Sequence, residues 1–69
     1  MDPITVRDED YAVLFEMQKS VQVARLDNDT DLVKEREKEL TARIYELYPE
    51  CCGRSVRFDV SGRKIYVWG

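Results

Sequence analysis

Apolar residues recur at helical spacing through the first two-thirds of the chain and alternate singly through the last third. At 100° per residue, Val33, Leu40, Ile44, Leu47 and Tyr48 share one arc of about 100°. The run Lys34 to Glu39, KEREKE, contains no glycine, proline or β-branched residue, so its local preference is strongly helical. A helix is expected from about Thr30 to Tyr48, roughly 28 Å long. Pro49 ends it by keeping Tyr48 out of helical geometry.

A first helix of nearly equal length is expected from about Asp8 to Leu26. Val13, Leu14, Met17, Val21 and Ala24 form one apolar arc on it. Tyr11, Ala12, Phe15, Val23 and Leu26 form a second, interrupted only by Lys19 and Gln22. One neighbour needs one stripe. Two stripes imply two neighbours: the second helix, and either the C-terminal strands or a second copy of the chain. Thr5 and Asp8 are the candidate N-caps, and Asp8, Glu9 and Asp10 suit the first turn, where the helix dipole favours carboxylates. Asp27 to Asp31 is the turn between helices, with Asn28 tolerating a left-handed conformation and Asp29 or Thr30 capping. Asp27, Asp29 and Asp31 also match the first ligands of a calcium-binding loop. The match then fails, since Leu32 replaces the turn glycine and Lys38 the bidentate glutamate.

After Pro49 the period drops to 2. Val56, Phe58 and Val60 alternate with Arg57 and Asp59, and Ile65 and Val67 with Lys64, Tyr66 and Trp68. Strands are expected at about 55–60 and 63–68, joined at Ser61-Gly62, where glycine can supply positive φ. This register sets Phe58 opposite Ile65 and Val56 opposite Val67, giving one apolar face. On the other face Asp59 opposes Lys64, Arg57 opposes Tyr66 and Ser55 opposes Trp68. Two strands alone are marginal in water, so they must lie on the helices, pair with a second subunit, or be extended by Ile4–Arg7, where Ile4 and Val6 alternate with polar residues. The expected fold class is α+β: an antiparallel αα-hairpin followed by a C-terminal β-hairpin, with Ile4–Arg7 as the candidate for a short N-terminal edge strand.

Sixty-nine residues make a single small domain with a marginal core, and the expectation is one protomer of a homodimer. Hydrophobic residues at 43% are too many for intrinsic disorder, and no apolar run approaches the roughly 20 residues of a membrane span. The acidic N-terminus lacks the apolar core of a secretory signal, so a cytoplasmic protein without membrane contact is expected. Adjacent Cys51 and Cys52 cannot form an unstrained disulfide and are too few for structural zinc; they read as small, partly buried loop side chains.

The net charge of −3 is uneven. Residues 1–50 carry −6, and residues 51–69 carry +3 through Arg54, Arg57, Arg63 and Lys64 against Asp59. The chain has no histidine and no phosphate-binding glycine loop, so neither the common general base nor a nucleophile's usual activator is present. No cofactor or metal is expected, and no enzyme. The surplus of apolar and aromatic positions points to protein binding through Tyr11, Phe15, Val23, Leu26, Tyr45, Arg57, Tyr66 and Trp68. The expected role is inhibition or modulation of a larger protein, in the manner of small bacterial or phage accessory regulators, an analogy of size class only. The alternatives are a nucleic-acid contact through the basic, aromatic hairpin, or a structural subunit of a larger assembly. The sequence pI near 4.8, and Asp29 and Asp31 at the start of the second helix, weigh against nucleic acid.

Overall fold

The computed structural model describes residues 2–69. The chain opens with β1 (Ile4–Thr5), then α1 (Asp8–Leu26) and α2 (Thr30–Leu47), a single 3-10 turn at Pro49–Cys51, and the strands β2 (Ser55–Asp59) and β3 (Lys64–Trp68). The architecture is α+β: an antiparallel helical hairpin and a three-stranded antiparallel sheet ordered β1-β3-β2.

The helical ends follow from local chemistry. Asp29 caps α2 by accepting the Leu32 N–H at 3.1 Å, and Asn28 takes the left-handed turn at φ 56°. Tyr48 lies just outside α2, because Pro49 holds it extended at φ −132° and ψ 77°. At α1 neither candidate cap serves. Arg7 occupies the cap position with no side-chain cap bond, while Asp10 folds back onto it.

The hairpin register is the expected one: Phe58 opposes Ile65, Val56 opposes Val67, Asp59 opposes Lys64, Arg57 opposes Tyr66 and Ser55 opposes Trp68. Pairing stops one residue earlier on each side, leaving Val60 to Arg63 as the loop. Its left-handed residue is Arg63, at φ 52°, rather than Gly62. A Cβ at Gly62 would stand 2.7 Å from the Asp59 carboxylate, which would have to turn aside. β1 completes the sheet, with Ile4 opposite Ile65 and Thr5 opposite Lys64.

The core lies between hairpin and sheet. Leu14, Leu40, Ile44 and Tyr48 from the helical layer meet Phe58, Ile65 and Val67 from the sheet, closed by Val6 and Cys51. Val21 and Ala24 are buried on the hairpin. Val13, at the margin of the first arc, is exposed. β2 spans both helices: the Tyr45 hydroxyl donates to the Arg54 carbonyl before its start, and the Tyr11 hydroxyl donates to the Val60 carbonyl after its end at 3.4 Å.

Candidate protein-binding surfaces

The eight sequence-selected residues divide into three groups. Phe15, Val23 and Leu26 stay on the outer face of α1, with Leu26 83% exposed and Val23 51% exposed. Together with Ala12 they make an apolar stripe broken by Lys19 and Gln22, and the sheet covers a different side of the helix. Arg57, Tyr66 and Trp68 share the solvent face of the β-hairpin, where Trp68 is 53% exposed. Lys64 is exposed on the same face.

Tyr11 and Tyr45 are engaged inside the fold. Tyr11 is half-buried, with its ring edge-on to Phe58 at 6.0 Å and the Arg63 guanidinium 4.5 Å from its centroid. Tyr45 is half-buried through its bond to Arg54. An amphipathic ring at the border of an apolar arc serves equally as a seam between layers or as an anchor for a partner, and the sequence alone does not separate the two.

A concave surface lies where the helical hairpin meets the outer edge of β2. A groove of about 420 Å³ is lined by Gln18, Gln22 and Thr41 over the buried Val21, Leu40 and Ile44, with β2 and Trp68 along one wall. Arg25 and Glu37 close its far end and pair with each other at 2.5 Å. Glu37, whose place at the margin of the apolar arc calls for a cation, is therefore satisfied within the chain. On the outer face of α2, Arg36 pairs with Glu39 and Arg43 with Glu46, each three residues on.

The strongest polar cluster is structural. The Tyr48 hydroxyl donates to Asp10 Oδ2 at 2.9 Å and accepts the Arg7 backbone N–H at 3.0 Å. Arg7 Nε donates to the same carboxylate oxygen at 2.8 Å, and its guanidinium also donates to the Leu47 carbonyl at 3.1 Å and lies over the Tyr48 ring. Burial pushes the Asp10 carboxyl up, but the bonds from Arg7 and Tyr48 outweigh it and hold the group below its ordinary value. Burial and the neighbouring carboxylate push the Tyr48 phenol up. Both groups stay in their ordinary charge states at neutral pH, with Asp10 Oδ2 accepting from both Arg7 and Tyr48, so the cluster ties the start of α1 to the end of α2. A sequence signal for it existed: Asp10 precedes Leu14, Met17 and Val21 by four, seven and eleven residues and so lies within the apolar arc.

Cys51 is fully buried, its thiol donating to the Tyr48 carbonyl at 3.0 Å, while Cys52 is exposed. Burial raises the Cys51 thiol and keeps it protonated. No group of three or more acidic or sulfur side chains is placed to hold a metal ion among the described residues, and none of their helices is long and apolar enough to cross a membrane.

No family model matches the chain, and no curated protein or solved structure is similar enough to count as a match.

Proposed function

We propose that this chain is a non-catalytic protein-interaction module that self-associates and binds, and so inhibits or modulates, a larger protein. The observation that carries the reading is the uncovered stripe Phe15, Val23 and Leu26 on α1. Clustered apolar side chains on the outer face of a small domain mark interaction sites. The stripe is self-complementary. An antiparallel pair of α1 helices sets Phe15 of one copy against Leu26 of the other, twice, with Lys19 beside Gln22 between the two contacts. Self-association through α1 leaves the Arg57, Tyr66 and Trp68 face for the larger partner, and these residue types anchor interfaces. A membrane role has no supporting feature, and an intracellular setting suits the exposed free thiol of Cys52.

The second reading is nucleic-acid contact, favoured by Arg57 and Lys64 lying among Tyr66 and Trp68 on one exposed face. Pull-down from the native host, with wild type beside Tyr66→Ala/Trp68→Ala and Arg57→Glu/Lys64→Glu variants at low and high salt, separates the two. Protein capture that survives salt and is lost with the aromatics supports the first reading. Capture of nucleic acid that collapses in salt and on charge reversal supports the second. Retention of neither overturns both.

A further inference from the structure

The outer edge of β2 is bare. β3 takes its other side, and no other backbone or side-chain hydrogen bond reaches residues 55–59 among the described residues. Beside that edge the helices continue. From Gln18 to Arg25, α1 advances about 10 Å, or about two strand spacings, and Gln18, Gln22, Arg25, Glu37 and Thr41 line the groove there. An uncovered edge with room beside it is a template for another strand.

We propose that the β2 edge and this groove bind an extended peptide segment of a partner protein as a fourth strand. The proposal rests on the interaction-module reading and gives it a binding mode. The overhanging helices select the occupant. A second copy joining edge to edge would bring its own helical layer into the space that α1 and α2 already fill, whereas a single strand carries nothing beneath it. Alternate side chains of the added strand turn toward Gln18, Gln22 and Thr41, beneath which Val21, Leu40 and Ile44 are already buried, and this shallow, partly polar lining fits small β-branched residues. The others face solvent beside Arg57. Every other arginine has an acceptor: Arg7 on Asp10, Arg25 on Glu37, Arg36 on Glu39, Arg43 on Glu46, Arg63 on Asp8 and Arg54 on the Gly69 carbonyl. Arg57 alone has none among the described residues, so the outward positions of the bound segment are acidic.

The test uses the whole chain and a capped seven-residue peptide alternating valine with glutamate, followed by amide chemical shifts during titration. Shifts are expected at residues 55–59 and at Gln18, Gln22 and Thr41. Arg57→Glu should weaken binding about tenfold by replacing an attraction with a repulsion. A peptide N-methylated at alternate residues, with the same side chains, should not bind. A display selection of random heptapeptides on the immobilised protein should return alternating apolar and acidic sequences. Equal binding of the methylated peptide, shifts confined to other surfaces, or absence of binding together with a selection that returns no such pattern would each overturn the proposal. Val23→Ser/Leu26→Ser removes the exposed α1 stripe, which adjoins the groove at Gln22, without changing any residue that lines the groove. Its effect on self-association is read separately, so loss of the dimer and loss of strand addition are distinguishable.

Discussion

Replacing Tyr48 by phenylalanine removes one oxygen from the most connected polar position in the molecule. The ring keeps its place in the core, where Tyr48 is only 5% exposed. What is lost is a bond to the ionised Asp10, 38 residues away in sequence, and a bond from the Arg7 N–H, 41 residues away. A hydrogen bond to a charged group contributes about 1.5–3 kcal/mol and a neutral one about 0.5–1.5 kcal/mol. Asp10 retains Arg7, so the combined cost should be about 2–4 kcal/mol. A domain of this size has roughly 3–10 kcal/mol in total. Its unfolding entropy, about 0.15 kcal/mol per degree, converts the loss to a fall in Tm of about 14–28 °C. Thermal and urea unfolding followed by circular dichroism measure it. Tyr45→Phe is the control, because it deletes one bond to an exposed carbonyl and should cost under about 1 kcal/mol. The pH dependence adds a second readout. The folded-state pKa of Asp10 is lowered, so its stabilisation is present above its ordinary value near 3.8 and is lost as pH falls through the lower folded value. Removing the Tyr48 donor raises that folded value, so the variant should begin losing stability at a higher pH than wild type. A Tm fall under about 4 °C, with an unchanged acid limb, would refute the assignment of this cluster as the tie between α1 and α2.

Val23→Ser/Leu26→Ser should change monomer stability by under about 0.5 kcal/mol per site, since both side chains are exposed, yet lower the light-scattering mass toward the 8.1 kDa of one chain. A wild-type mass of one chain at micromolar concentration would remove the dimer. A thiol reagent should label Cys52 alone in the native protein and Cys51 only after unfolding, because the latter is fully buried; two native thiols per chain would contradict this. Asn28→Ala should cost about 1 kcal/mol in urea titrations by forcing alanine left-handed at φ 56°, whereas Asn28→Gly should be neutral or slightly stabilising.

Both helices, the turn chemistry at Asn28 and Asp29 and the strand register were legible because each is set by local periodicity and by residues adjacent in sequence. Placement by contact across the chain was not. Tyr11 and Asp10 sit on α1 only a residue apart, yet one seals the seam to the sheet and the other reaches the end of α2. Their partners, Phe58, Val60 and Tyr48, are set by how the layers cross, and three first-turn carboxylates look alike until one is seen to face inward. Arg63 rather than Gly62 takes the left-handed position because the loop is longer than two residues, which moves that conformation to its last member. The outer stripe of α1 was visible in the pattern, but the groove beside β2 was not, because it depends on the sheet covering only part of the hairpin.

The middle strand of the sheet is the last element of the chain, and it is flanked by the first. During synthesis β1 therefore waits for a partner until the far end has emerged, and the helical hairpin must persist without its cover in the meantime. Closing so large a loop for two paired residues brings little return. The contact at Ile4 and Thr5 should accordingly form late and open readily, with the Val6 amide, bonded to the Arg63 carbonyl, exchanging with solvent hydrogen well before the amides that join β2 to β3.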